Sequence, residues 1–486
     1  MVNANTSTPQ MSPPSAQAVV AQLWHNASLD ATALQRLHLS GSEPALPSSF
    51  AVGTALQAAL GAAALAVTEV AIQRGAAAPS ASLDTLDVVR ESACRFTLDG
   101  RTPAMWDKLS GLYRCGVDGR WVRIHANFAH HRDGVLALLN LPTGSDTERS
   151  TVQTALGSWS AEGFEKAAAE RGLVVAVVRS PAEWAAHPQA RAVAAEPLLR
   201  IEQVGNAPPR RWPGGAAGPG THAPLAGLRV LELTRILAGP VAGRTLAAHG
   251  ADVLLVNGPH LPNIEAVAET SQGKLSTLLD LRTSLDRARL QDLVREADVF
   301  LQGYRPGALA MRGFGVDELS ALRPGIVVAS LSAYGTQGPW AGRRGFDSLV
   351  QSATGLNLAE AQALGRHEPT ALPLQALDYG AGYLLAFGTL AALLRQRREG
   401  GSWQVQVSLA GVRHWLESLG RLPDATSAPK LDIEAALEAN PSGFGLLHSV
   451  PHAALIDGQR VVWRRPSMPP GSHAPLWPKE LPPRTC

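Results

Sequence analysis

A chain of 486 residues, 45% hydrophobic and 17% charged, exceeds what one hydrophobic core can serve and reads as two or more globular domains. Its formal net charge of +2 excludes a general nucleic-acid surface, although a few local Arg and Lys residues suffice to hold a polyanion. Three cysteines, Cys94, Cys115 and Cys486, without a Cys-x-x-Cys pair or a Cys/His cluster, exclude a disulfide framework and a zinc site.

In chain order, the opening MVNANTSTPQMSPPSAQ is polar and lacks the basic and apolar regions of a signal peptide, so a cytoplasmic location is expected. The first forty residues are expected to be frayed. Residues 41–207 read as Ala-rich and mainly helical, with strands at Trp121–Ile124 and Leu173–Val178. Within them Ala51–Ile72 carries one charge, Glu69. With the uncharged but shorter Tyr379–Leu394 it is expected to be a buried core helix rather than a membrane span.

The density of Pro and Gly from Pro208 to Pro224 supports neither helix nor inner strand and reads as a linker. After it, short apolar strands alternate with helices. Strands are expected at Leu228–Leu233, Ala251–Val256, Ala297–Gln302 and Ile326–Gly335. Strands apolar on both faces, separated by helices, predict an open parallel α/β sheet over residues 225–420, with ligands beyond the carboxyl ends of the strands. The final segment, 421–486, is Pro-rich and expected to wrap the surface or cross to the other domain. The Ala-rich helices near Ser49 and Ala376 also read as an internal repeat. Aligning Gly61 with Gly388 places Ala51 opposite Asp378.

Four places can carry chemistry. Asp378 lies between PLQAL and the Gly-containing helix start YGAGYLLAFG, where an Asp serves as an N-cap or, with glycines allowing close approach, as a nucleophile toward an acyl thioester. The turn TRILAGP, Thr234–Pro240, is small enough for a ligand to approach a helix N-terminus, although it lacks a dinucleotide fingerprint. QGYRPG, Gln302–Gly307, offers Arg305 to a phosphate or purine. In GRRGFDSLVQSATG, Asp347 is well explained as the cap of its own helix. His130 and His131, with no carboxylate at metal-ligand spacing, read as surface or structural residues. No Walker A loop, H-E-x-x-H or G-x-S-x-G motif is present.

PLAGLRVLELTRILAGPVAGRTLAAHGADVLLV, QGKLSTLLDLR, ADVFLQGYRPGALAMRGFG, LSAYGTQGPWAGRRGFDSLVQSATG and the run from Ala376 to Leu409 together resemble the family III CoA-transferases. That superfamily includes formyl-CoA and carnitine CoA-transferases and α-methylacyl-CoA racemases. The motifs follow the family's order through residues 224–410. The resemblance implies a Rossmann-like nucleotide-binding half, a smaller α+β domain and an acyl-CoA:carboxylic acid CoA-transferase. No tightly bound cofactor is implied; coenzyme A enters as substrate, with a carboxylic acid as acceptor. Asp378 falls where the family keeps its catalytic Asp, which forms a mixed anhydride with the acyl group.

The resemblance also implies CoA contacts at Arg235, Leu237 and Ala238, at Lys274, and at Leu279, Asp280, Leu281 and Arg282. Further contacts are implied at Gly303, Tyr304 and Arg305, and at Arg344, Gly345, Phe346 and Asp347. Departures occur at Asn257 and Gly258, where Glu-Pro is common, and at Gln302-Gly303-Tyr304, which replaces Glu-Asn-Phe. The racemases carry His where Phe346 stands, so α-proton exchange by a His/Asp pair is disfavoured. The changed motifs leave a CoA-binding or regulatory homologue as the alternative to a transferase. Residues 157–210 resemble the family's later, smaller domain, so the domain order is rearranged and the N-terminal region reads as a partial, decayed duplicate. The family forms interlocked dimers; here a homodimer or an intrachain pseudo-dimer is expected, without nucleic acid or membrane.

Overall fold

The computed structural model describes residues 13–212, 223–424 and 427–478. Its centre is a seven-stranded sheet of β1 (Leu199–Gly205), β2 (Arg229–Leu233), β3 (Asp252–Asn257), β4 (Leu275–Leu278), β5 (Val299–Gln302), β6 (Val327–Ser332) and β7 (Ser402–Ser408). The spatial order is β4-β3-β2-β5-β6-β7-β1. Six strands run parallel, and β1 joins at the edge, antiparallel to β7. The central strands β2, β3, β5 and β6 carry Val and Leu buried on both faces, as helices on both sides require. Strand order reverses between β2 and β5, which opens a crevice beyond their carboxyl ends.

Four helices position the site: α1 (Val52–Gln73), α2 (Ala238–Ala248), α3 (Asp347–Ala353) and α4 (Ala376–Glu399). α4 packs against both α1 and α2 and lies on β7. Glycine permits that approach at two points. A Cβ on Gly382 would sit 2.6 Å from the Ala238 carbonyl oxygen, and one on Gly388 would sit 2.6 Å from Leu199 and 2.7 Å from Val405. Although α1 and α4 are long and apolar enough to cross a membrane, both are buried inside the protein.

The remaining chain binds the parts together. Gly111–Arg114, Trp121–Ile124 and Val175–Val177 form a small antiparallel sheet with its own core of Val122, Ile124, Val152 and Phe164. Leu37–Ser40 pairs in parallel with Ala81–Asp84, which in turn pairs with Leu455–Ile456 near the end of the chain. The last described segment also crosses back: the Trp477 indole donates to the Leu293 carbonyl at 3.0 Å.

Two expectations need correction. Residues 16–40 are not frayed: Ala16–Asn26 is a helix capped by Ser15, and its Trp24 is buried against Phe387 with ring centroids 5.8 Å apart. Burial of that ring ties the segment to α4, which a reading of local sequence cannot anticipate. The repeat register also differs. α1 begins after Ala51 (φ −75°, ψ 60°) and α4 after Gln375 (φ −80°, ψ 65°), so the matching starts pair Thr54, not Ala51, with Asp378. Carboxylates support both starts: Glu43 accepts from the Thr54 N–H at 2.7 Å, and Asp347 accepts from the Asp378 N–H at 3.0 Å. The glycines used for alignment serve different contacts, Gly61 facing Leu39 and Gly388 facing Leu199. The central residues of the expected linker, 213–222, lie outside the described residues.

The Gly382 contact yields a stability prediction. Gly382→Val sets a side chain against the backbone of α2 and is expected to cost about 1–3 kcal/mol, read as a lower urea midpoint with an unchanged slope.

Candidate active site

A cavity of about 420 Å³ opens at the crevice beyond β2 and β5. Its floor comes from the turns after these strands, carrying Arg235 to Ala238 and Gly303 to Arg305. One wall is the segment Arg343–Phe346, and Asp378 reaches the cavity from the first turn of α4. The roof is Phe128, His130 and His131 from the N-terminal region. The cavity therefore needs both parts of the chain.

Most residues named from the sequence meet there. Arg235, Leu237, Ala238, Leu279, Leu281 and Arg282 line it, as do Gly303, Tyr304, Arg305, Arg344, Gly345, Phe346 and Asp378. The departures Asn257 and Gly258 border it too. Gln302 has a local task, its side-chain oxygen accepting from the Tyr304 N–H at 2.9 Å and setting the turn.

Three named residues do not line the cavity. Lys274 is fully buried under α2, its ammonium 2.8 Å from a Glu232 carboxylate oxygen and 2.8 Å from the Pro240 carbonyl. Its charge neutralises a buried carboxylate and does not face the cavity. Burial pushes the Lys274 ammonium down and the Glu232 carboxyl up, and the pairing of the two opposes both shifts. Asp280 clasps Arg282, with Nη2 at 2.7 Å and Nε at 2.8 Å, and so orients a lining residue instead of lining the cavity itself. Asp347 is buried and contacts the first turn of α4 instead of the cavity.

The arrangement of the two aspartates is the central feature. The N-cap of α4 is Gln375, which makes no side-chain cap, so Asp378 is not the cap of its helix. Nor does Asp347 cap its own helix, where Phe346 holds the N-cap position. Asp347 instead reaches across to α4 and accepts from the N–H groups of Leu377 at 2.8 Å and Asp378 at 3.0 Å. Gln351 donates to its other oxygen. Satisfying helix-terminal donors with a carboxylate from a neighbouring helix leaves the Asp378 side chain free to face the cavity.

Burial and then the nearby Asp347 charge hold the Asp378 carboxyl well above the ordinary carboxylate range. Burial also raises Asp347, against the opposing effect of its hydrogen bonds to Asp378, Gln351 and Leu377. A carboxyl poised in this way becomes a poorly solvated, reactive carboxylate once it ionises.

Backbone strain marks the floor. Ile236, between Arg235 and Leu237, has φ 75°, a left-handed conformation that a β-branched residue adopts at a cost of about 1–3 kcal/mol. Ile236 and both its neighbours, Arg235 and Leu237, line the cavity. No residue-type signal predicts the positive φ, because sequence preference argues against Ile at such a position.

The sequence reading missed the roof. His130 and His131 are not merely surface or structural residues, since both border the cavity. His131 Nε2 lies 3.2 Å from Arg344 Nη1, which also donates to the Gly172 carbonyl at 2.8 Å. The Arg235 guanidinium sits 5.2 Å from the Phe128 ring centre, and His125 stacks on Phe346 at 4.2 Å. These partners are over 100 positions apart in sequence, and an adjacent histidine pair carries no motif that would reveal them.

Residues 225–420 match the model for CoA-transferase family III. An acyl-CoA transferase from Gibberella moniliformis is 31% identical over 334 residues, covering 63% of this chain and 58% of that protein. A probable fatty acyl-CoA transferase from Mycobacterium tuberculosis is 34% identical over 209 residues, 40% of this chain and 52% of that one. A solved CAIB/BAIF family protein from Brucella suis is 26% identical with TM-score 0.36, covering 46% of this chain and 65% of that one. The chain thus spans less than two thirds of the length of these relatives.

Asp347→Asn tests the aspartate pair directly. Removing the charge while leaving an oxygen to accept the helix N–H groups is expected to lower the pH at which Asp378 ionises. The midpoint stays above the ordinary carboxylate value, because burial, the larger cause, remains. Carbon-13 NMR titration of aspartate-labelled protein reads the shift; an unmoved midpoint means the Asp347 charge does not reach Asp378.

Proposed function

We propose that this chain, whose residues 225–420 match the model for CoA-transferase family III, is an acyl-CoA:carboxylic acid CoA-transferase with Asp378 as its covalent nucleophile. The observation that carries this reading is the division of labour between the two aspartates: Asp347 holds the start of α4, and Asp378 faces the cavity. The curated relatives are named as acyl-CoA and fatty acyl-CoA transferases, and a mouse relative is named as a succinyl-CoA:glutarate CoA-transferase.

In the proposed reaction the ionised Asp378 attacks the thioester carbonyl of an acyl-CoA donor. A carbon–oxygen bond forms, the carbon–sulfur bond breaks, and CoA leaves as its thiolate with the electron pair. The thiolate then attacks the aspartyl carbonyl of the mixed anhydride and expels the donor carboxylate, leaving an aspartyl-CoA thioester. An acceptor carboxylate attacks that thioester and releases the thiolate again, which takes the acceptor acyl group and frees Asp378. Each thioester or anhydride formed balances one broken, so no outside energy source enters.

Arg235, Arg282, Arg305 and Arg344 supply positive charge to the phosphates of CoA, and Leu237, Ala238 and Phe346 supply apolar surface. The raised pKa of Asp378 suits the chemistry: an anion stripped of water attacks more readily than a solvated one. The N-terminal region, whose α1 starts as α4 does, is an altered second copy that supplies the roof within the same polypeptide. Thr54 stands in it where Asp378 stands in the active copy.

Asp378→Ala is expected to lose turnover by roughly 10³-fold or more while still binding CoA. Hydroxylamine trapping after incubation with acetyl-, succinyl- and octanoyl-CoA should convert a peptide containing Asp378 into its hydroxamate in the native protein alone. If CoA binds and no peptide is modified, the chain is a CoA-binding protein and not a transferase.

A further inference from the structure

The roof poses a problem that the reaction leaves unanswered. His131 is buried, 4% exposed, and its Nδ1 has no hydrogen-bond partner. A guanidinium only donates, so the 3.2 Å contact from Arg344 Nη1 requires a lone pair on His131 Nε2. Burial first, and then the charges of His130, Arg344 and Arg235, push the imidazole down to about 3, so the ring is neutral. A neutral ring with its lone pair on Nε2 carries its proton on Nδ1, and that N–H is left buried and unsatisfied. Such a group lowers stability, and an apolar residue of similar size would remove the cost.

What the imidazole does instead is hold Arg344. Nη1 of that guanidinium is fixed by two acceptors from the N-terminal region, His131 Nε2 and the Gly172 carbonyl, while the residue borders the cavity. Three residues before His131, the buried Phe128 ring supports the Arg235 guanidinium at 5.2 Å. One short roof segment thus contacts both cations, and the Pro262 and Gly172 carbonyls, which accept from Arg235 and Arg344, restrict the same two guanidiniums further. Fixing them in advance reduces the entropy lost when an anion binds.

We infer that Phe128 and His131 are positioning residues that aim Arg235 and Arg344 at a phosphate group of bound CoA, so that the altered N-terminal copy completes the anion site of the active one. The inference rests on the reading of the cavity as a CoA site but not on turnover. The ligand chemistry is a phosphate oxyanion, supplied by either the 3′-phosphate or the pyrophosphate of CoA. His131 acts through Arg344 and does not touch the reacting atoms.

The test compares His131→Leu with His131→Gln in the full chain, using calorimetric titration with free CoA and with dephospho-CoA. Leu removes both the acceptor and the unsatisfied N–H; Gln returns an oxygen acceptor to Arg344. His131→Leu is expected to melt at the native temperature or above it yet bind CoA roughly 10-fold more weakly, whereas His131→Gln stays within about 2-fold of the native protein. With saturating donor, labelling of Asp378 should proceed at the native rate in both, so the defect appears in KM and not in kcat. Weakening confined to CoA assigns the 3′-phosphate; equal weakening with dephospho-CoA assigns the pyrophosphate. Native affinity in His131→Leu, or equal loss in both variants, overturns the inference. Absence of Asp378 labelling with these affinity changes intact would sink the transferase reading alone.

Discussion

The close packing of α4 is the constraint from which the rest of the molecule follows. This helix is buried along nearly its whole length, wedged between α1 from the N-terminal region and α2 and β7 from the sheet domain. Gly382 and Gly388 set how near those neighbours come, since a single added carbon would collide with a carbonyl in one case and two apolar side chains in the other. A helix held on three sides has a fixed axis and rotation. Its first turn, and with it Asp378, is therefore placed by packing and not by the loop before it.

Joining two parts of the chain around one helix is accompanied by further ties, one of them a buried ionic cluster. Arg244 on α2 pairs with Glu91 of the N-terminal region at 2.9 Å and also with Glu269. Glu91 in turn meets His452 Nδ1 at 3.0 Å and the Ala453 N–H at 2.9 Å, so the C-terminal segment enters the same buried cluster. Buried ion pairs gain little net stability over apolar packing, but losing one partner strands the others at a cost of about 3–5 kcal/mol. The cluster makes the three segments interdependent, and the cavity inherits that dependence.

Within this frame the site uses a substitution of roles. Helix starts need acceptors, and the residue at hand, Asp378, would ordinarily serve. Asp347 takes the task from the adjoining helix, at the expense of two carboxyls close together in a dry place. Their repulsion, added to burial, is what raises Asp378. The same economy appears at Lys274, whose charge balances Glu232 under α2 instead of facing the ligand. Charge in this protein is spent inside the fold before it is spent on the cavity.

The parallel sheet was legible because Val- and Leu-rich runs such as Val253–Val256 and Val299–Leu301 admit burial on both faces, and their alternation with helices admits few other architectures. The turns at Arg235 and Arg305 were legible as cavity borders for the same reason: carboxyl ends of parallel strands open toward ligands. Local sequence could not show that Asp347 caps another helix, that Ile236 sits at positive φ, or that Trp24 anchors the first segment on Phe387. Nor could it show that the starts of α1 and α4 match at Thr54 and Asp378, because the glycines at 61 and 388 serve different neighbours. The sequence by itself determined four of the seven sheet strands, β2, β3, β5 and β6, and the helices between them, through burial periodicity and turn chemistry that act over a few residues. Only the tertiary structure decided which carboxylate is left free and which imidazole roofs the cavity, because those outcomes depend on contacts between groups that the chain separates by 30 to more than 200 positions.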